Sequence, residues 1–499
     1  MDAFLNALNM FFTTFKAAVF VPVFIFVIAL AMGVKPKKAF FSALSAGVGL
    51  EGFSLVIGSY SPILSPIIDN MINAVGINLP IVDLGWQTTS IIAYSYQVGM
   101  IYIAVAIALQ VILYLVHYTT VFQAGDLWNN YSYFAWGSCL FVLTGNFWLA
   151  MACMVVQQLY TLLCTEVIAK RWSNYYGYPN CTIASLHTAT VGIFAVPLNL
   201  LLDKLGLYKI NADPTVLRKK LGFIGEPMTL GLFLGLFIGI VGDFNKLGEL
   251  ATWGEITTCG IATAAVMAVF PKVSGIFAGS FSPITEAGKK KMKAAGHADR
   301  EWYLAVNDAT GYGEAATLIT GILLMPTTLV VSFILPGNLV LPMLDLVAIP
   351  YIIQPFVACS NGNILKSFIG GLIFMIANLY FCTLTGPAFT DVAVSTGIDL
   401  QGATMVTSLV ILGQPVGAII FLAFLTQNPI IIGAVVVVYV ICYVLVHKNM
   451  TAIHESIENS ALNHTNKKVE TAAYFSLLAE VAMLLRRAGH NRRPAFLNH

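Results

Sequence analysis

Apolar residues run almost without interruption through 17–33, 91–116, 231–241, 318–335 and 430–446. The runs are continuous rather than alternating, which predicts helices and not the in–out pattern of a membrane β-barrel. Some reach the ~20 residues that a helix needs to cross a bilayer. Two further apolar stretches, 41–59 and 183–202, are broken by Gly and, in the second, by Pro. Irregular backbone at membrane depth is tolerated only where protein or a water-filled cavity surrounds it. Broken helices that present their ends to a solute are typical of transporters. The pattern predicts an all-α polytopic membrane protein with re-entrant or broken segments.

Composition sharpens this picture. Of the 499 residues, 58% are hydrophobic and only 10% charged, against ~25% charged in soluble chains. Basic residues gather at 35–38 (KPKK), at Lys170 and Arg171, over 204–220 and 289–300, and in the tail after His447. The positive-inside rule places all of these in the cytoplasm. The first helix, over roughly 11–33, then enters from outside, with the N-terminus external and the C-terminus cytoplasmic. An odd number of crossings follows, and the apolar segments fit about 11 transmembrane helices with one or more folding back. Residues 1–447 read as a single membrane region and 448–499 as a cytoplasmic tail, a helix followed by a basic end. The first residues lack a basic n-region and an A-x-A site, so they do not read as a signal peptide.

Charge and cysteine content exclude other classes. A net charge of +2, with no basic stripe interleaved with aromatics, offers no footprint for nucleic acid. The eight cysteines lie in or beside apolar segments without CxxC or Cys/His metal spacing, so they read as small buried hydrophobes. No metal or cofactor is expected. HExxH and GxSxG are absent from the sequence, which argues against an intramembrane hydrolase.

Five polar clusters interrupt the apolar background. DLGWQTTS (83–90) carries Asp83, Trp86, Gln87, Thr88 and Thr89; an acid in a membrane segment is by default a functional candidate, although these residues also suit a helix N-cap. LTGNFW (143–148) places Thr144, Gly145, Asn146 and Phe147 within an apolar run. ASLHTAT (184–190) sets His187 and Thr188 among small residues on a broken segment. VNDATGYGEAATL (306–318) spaces Asp308 and Glu314 by six residues, with two glycines between that let the backbone aim both inward. IGEPMT (224–229) puts Glu226 before Pro227, where a helix dipole favours an acid. The set is rich in hydroxyls and amides and poor in Arg and Lys, the groups a phosphate or carboxylate site wants. It leans toward a neutral sugar or polyol.

DLGW with its polar stretch, LTGNFW, the histidine segment, RKKLGFIGEPMTLGLFLGLFIGI, ILPGNLVLPMLDLVAIPY and SNGNILKSFIGGLI occur in an order that resembles the galactitol-type IIC permeases of the bacterial phosphotransferase system, in the ascorbate–galactitol superfamily. The resemblance runs from about residue 17 to 447. It implies a multi-pass protein of the bacterial inner membrane, a homodimer whose protomers each have a solute-holding core domain and a dimerising domain, with an elevator-like movement of the core. It implies a polyol substrate, galactitol foremost, that leaves phosphorylated by a phosphocysteine on a separate IIB protein, itself supplied by an upstream IIA. The basic loops are candidates for guiding that partner. The substrate-binding residues it implies are Trp86, Gln87, Thr88, Thr89, Thr144, Gly145, Asn146, Phe147, His187, Thr188 and Asp308. Asp308, with His187 or Glu314, is the candidate base or orienting group for a terminal hydroxyl, and Glu226 is a secondary candidate. An ascorbate-type IIC, or an ion-coupled secondary transporter using Asp308, Glu314 and Glu226, are the alternatives.

Overall fold

The computed structural model describes residues 17–462, apart from 76–78, 124–126, 211, 222, 224–225, 285, 288–289, 291–300 and 401–402. The start of the first predicted helix, most of the 289–300 basic loop and the tail beyond 462 lie outside the described residues.

The chain opens with α1 (Ala17–Ala31) and α2 (Pro36–Val75). Strand β1 (Ile81–Asp83) then leads into a half-helix, α3 (Gly85–Ser95), and extended backbone at Tyr96 separates it from α4 (Gln97–Leu115). Strand β2 (Val121–Gln123) is followed by α5 (Leu127–Thr144) and α6 (Phe147–Tyr176). Next comes the broken segment of the sequence: β3 (Cys181–Ile183), the single turn α7 (Leu186–Ala189) and α8 (Gly192–Lys204). After α9 (Pro214–Leu221), helices α10 (Pro227–Gly242) and α11 (Leu250–Gly279) form a close pair. The second half runs through β4 (Tyr303–Val306), α12 (Ala309–Tyr312), α13 (Ala315–Ile334), β5 (Val340–Leu341), α14 (Ile349–Ile352), α15 (Gln354–Cys359) and α16 (Ile364–Ser395). It closes with β6 (Met405–Thr407), α17 (Leu409–Leu412), α18 (Pro415–Leu425) and α19 (Pro429–Leu462).

Eight helices among the described residues are long and apolar enough to cross a membrane, and Met228–Gly242, Leu344–Cys359 and Pro415–Leu425 are shorter apolar helices. Large apolar side chains stand exposed on α19, for example Val437, Val440 and Val444, and on α1 at Val19, Val23 and Val27. Rows of this kind are stable only against lipid or a partner. The chain is a polytopic membrane protein.

The six short strands are a departure from the all-helical expectation. They form two three-stranded parallel sheets, ordered β5–β1–β6 and β2–β4–β3. Runs of two to four residues leave no alternation in the sequence, and parallel strands buried on both faces read as apolar throughout. Because every pair is parallel, all three strands of a sheet end at one edge. Each sheet thus gathers three chain turns that are remote in sequence.

Helices α1, α2, α10 and α11 pack on one another, and the remaining long helices pack around the two sheets. The sequence dictates the tightest contact of the first group. Gly231, Gly235 and Gly239 recur every four residues on one face of α10. A Cβ at Gly235 would lie 2.6 Å from the Cys259 carbonyl oxygen, and one at Gly239 3.0 Å from the Ile256 Cα. Small residues at this spacing let two backbones approach and gain dispersion contacts that lipid cannot supply. The two groups meet across apolar side chains, with Leu64, Ile67 and Ile238 facing Met325, Leu329 and Leu346.

Candidate functional site

The register of the second sheet builds a buried acid–imidazole pair. Ile183 pairs with Val306, so Ser185 and Asp308, each two residues beyond its strand, emerge side by side. Ser185 Oγ donates to Asp308 Oδ2 at 3.3 Å, and His187 Nε2 lies 2.9 Å from the same oxygen. Both partners are buried, His187 at 2% and Asp308 at 0% exposure. Helix α5 supplies the other side: Ser132 Oγ is 2.7 Å from His187 Nδ1, and the Tyr131 ring meets the imidazole edge-on at 5.6 Å. A carboxylate can only accept, so with Asp308 ionised the Nε2 carries the proton, and in the neutral ring Nδ1 accepts from Ser132. Below the pair, Gln354 Nε2 donates to the Asp308 carbonyl at 2.6 Å, and Gln354 Oε1 accepts from Trp172 Nε1 at 3.1 Å. Thr188 bonds back to Ser185 through its hydroxyl. The arrangement can orient a hydroxyl and take its proton without any large charge being brought into the interior.

The first sheet uses its acids differently. Asp83 accepts four backbone N–H groups, from Gly85 (3.0 Å), Met343 (3.1 Å), Asp345 (2.9 Å) and Leu409 (3.2 Å). Asp345 accepts from the N–H groups of Trp86 (2.8 Å) and Val410 (3.0 Å) and from Ser408 Oγ (2.6 Å). Both carboxyls are fully buried. Together they tie the three turns that leave β1, β5 and β6, satisfying N–H groups that would otherwise cost about 1–3 kcal/mol each. In the rest of DLGWQTTS, Thr88 Oγ1 donates to Leu84 O and Thr89 Oγ1 to Trp86 O. Trp86 is half-buried, and the Gln87 side chain lies outside those described.

LTGNFW forms the turn between α5 and α6. Gly145 takes a left-handed φ of 67°, Asn146 Oδ1 caps α6 by accepting from Leu149 N at 3.0 Å, and Thr144 Oγ1 donates to Leu140 O. Phe147 packs edge-on to Phe141. Ser132, beside His187, stands twelve residues earlier on α5, about 18 Å away along a helix axis. Ala93 O accepts from Ser138 Oγ at 3.5 Å, and Gly99, near the start of α4, lies against Phe134 and Ser138, so α3 and α4 pack beside α5. The sequence-predicted residues therefore fall in separate places: His187, Thr188 and Asp308 beyond the second sheet, Trp86 to Thr89 on α3 beyond the first, and Thr144 to Phe147 at the α5–α6 turn.

Comparison with known proteins shows the family of the chain. Residues 11–403 match the family model for the PTS system sugar-specific permease component (EIIC-GAT). The chain belongs to that family. The permease is 28% identical over 421 residues to the PTS system galactitol-specific EIIC component of Escherichia coli (strain K12), covering 84% of this chain and 91% of that protein; the protein of the same name from Escherichia coli O157:H7 matches equally. A putative permease IIC component of Escherichia coli (strain K12) is 29% identical over 404 residues, 80% of this chain and 90% of its own.

The remaining acids of the permease have other settings. Glu314 caps α13, its oxygens accepting from Ala316 N (3.0 Å), Thr317 N (2.9 Å) and Thr317 Oγ1 (3.0 Å). Glu226 precedes α10 at its N-cap position and is half-buried. Sequence reasoning passed over Ser132, Ser185, Gln354 and Asp345. Asp345 alone carried a signal, an acid inside LVLPMLDLVAIPY; the other three depend on the strand register and on α5 packing beside it.

Proposed function

We propose that this permease binds galactitol or a closely related polyol and carries it across the bacterial cytoplasmic membrane, the solute leaving as its phosphate ester. The phosphoryl group comes from the phosphocysteine of a separate IIB protein recharged by IIA. The observation that carries the reading is the buried His187–Asp308 pair at the strand ends of a chain in this family, with Ser132, Ser185 and Gln354 bonded around it. The terminal hydroxyl oxygen forms the new O–P bond while the S–P bond breaks and the sulfur leaves with its electrons as thiolate. Asp308 receives the hydroxyl proton, and His187 holds the carboxylate in place. Glu314 is engaged at its helix start, which favours Asp308 over it as base. General-base assistance of this kind contributes roughly a hundredfold to ten-thousandfold.

In this reading α1, α2, α10 and α11 form the dimerising scaffold of a homodimer, and the helices around the two sheets form the core that moves against it. The N-terminus lies outside and α19 ends in the cytoplasm, with the shorter apolar helices completing the crossings or folding back. The test is phosphorylation of galactitol by membranes containing the permease, IIB, IIA and a phosphoryl donor. Galactitol phosphate is expected from the native chain, and a loss of a hundredfold or more from Asp308→Asn at equal expression. Full activity of Asp308→Asn overturns the assignment.

A further inference from the structure

Two re-entrant turns meet beside the acid–imidazole pair, and the meeting point contains buried polar atoms without partners. A Cβ at Gly417, on the first turn of α18, would fall 2.9 Å from Trp136 Nε1 and 3.2 Å from Leu186 Cδ2. Leu186 is the neighbour of His187. Trp136 stands one turn beyond Ser132 on α5, so it shares the face that holds the imidazole. From α6, Gln157 Nε2 donates to the Gly417 carbonyl at 3.1 Å, and at the tip itself Gln414 Nε2 donates to Val410 O at 2.9 Å. Trp136, Gln157 and Gln414 are each at most 1% exposed, yet Trp136 Nε1, Gln157 Oε1 and Gln414 Oε1 have no hydrogen-bond partner among the described residues.

The neighbouring glutamine on α6 is a contrast. Gln158 is fully engaged: its Oε1 accepts from Tyr102 Oη at 2.7 Å, and its Nε2 faces Ala106 O and Gln123 Oε1. Leaving a buried donor or acceptor unmet costs about 1–3 kcal/mol, a cost a purely structural residue could avoid by being apolar. The carbonyls of Gly417 and Val410 fix the two amides with nitrogen toward the backbone, so their oxygens are the atoms left to serve a ligand.

We infer that Trp136, Gln157 and Gln414 form the seat for the unreactive end of the solute, clasped between the 185–190 and 409–417 turns. This deepens the polyol reading and rests on it. One N–H donor and two amide oxygens complement hydroxyls, which both donate and accept. A phosphate dianion or a carboxylate has no hydrogen to give the two oxygens, so the seat selects a neutral polyhydroxy solute. It also directs the hydroxyl to be phosphorylated toward Asp308. Gly417 brings the α18 backbone close against the Trp136 ring, which also packs on Phe421 at 4.8 Å between ring centres.

The test is binding of galactitol and its 1-, 2- and 3-deoxy analogues to the purified full-length permease by calorimetry. Native protein is compared with Trp136→Phe, Gln157→Leu and Gln414→Leu. The variants are expected to bind galactitol 10- to 100-fold more weakly. At least one deoxy analogue that the native chain rejects tenfold should be bound by the matching variant as well as galactitol is. Without solute, Gln157→Leu should unfold thermally near the native temperature, because it removes an unmet oxygen while Gly417 O stays within the α18 helix, which separates loss of the seat from loss of fold. Native-like discrimination among the analogues in all three variants overturns the seat alone, while Asp308→Asn still reports on the parent reading. Failure of the native protein to bind any polyol overturns the parent reading and the seat with it.

Discussion

At the scale of single residues, the acids divide by what surrounds them. Asp83 and Asp345 accept seven hydrogen bonds between them from turns scattered over the chain. Asp83→Ala should therefore destabilise the protein by about 3 kcal/mol or more, read as a lower thermal unfolding temperature and a poor yield of folded protein. Asp308→Asn should leave unfolding unchanged, since the amide oxygen still accepts from His187 and Ser185, and abolish phosphorylation. Ser132→Ala removes a partner of His187 Nδ1 and is predicted to slow turnover roughly tenfold, a loss smaller than that of Asp308→Asn. The candidates were legible as residue types: the sequence offered His187 and Asp308 on glycine- and hydroxyl-rich segments. Their partnership was not, because it depends on strand β3 lying beside β4 with Ile183 opposite Val306. Nor could sequence tell that the hydroxyls of Thr88 and Thr89 bond carbonyls within their own chain segment.

Between residues and the whole, the elements show which patterns speak plainly. Most continuous apolar runs became helices, but the run 91–116 is interrupted at Tyr96. The stretch 183–202, read as broken, became a strand end, a one-turn helix and α8. The stretch 41–59, also read as broken, lies within the uninterrupted α2 because its glycines need no break in the helix. The six strands stayed hidden because none exceeds four residues, too short for any period to register. The α10 glycines were visible in GLFLGLFIGI, but their role appears only against α11. Gly235→Val places a branched side chain where even a Cβ comes within 2.6 Å of a backbone oxygen. Overpacking of this kind costs about 1–3 kcal/mol, and the variant should unfold earlier while solute affinity in the surviving folded fraction is unchanged. At the other end, α19 continues through 448–462 and fastens the core by Arg171–Glu458 (2.7 Å) and by Ser460, which donates to Asp203, itself paired with Lys366 (2.7 Å). The part of the tail that the sequence left without a role thus begins as a strut on the α6–α8 end of the core.

For the whole molecule, the division into two helix groups makes relative motion the central mechanical expectation. Phe270 of α11 stacks on Tyr312 of α12 at 4.3 Å, directly across the boundary. With the eight native cysteines replaced, a Phe270→Cys/Tyr312→Cys pair bridged by mercury should stop uptake and leave galactitol binding intact; undiminished uptake in the bridged protein would mean that the groups move as one body. The most direct test of the account as a whole is transport itself, measured with labelled galactitol in membrane vesicles supplied with IIB, IIA and phosphoryl donor while ionophores collapse every ion gradient. The account predicts galactitol phosphate accumulating one for one with donor consumed, unaffected by the ionophores. Accumulation of unmodified galactitol that the ionophores abolish would contradict it.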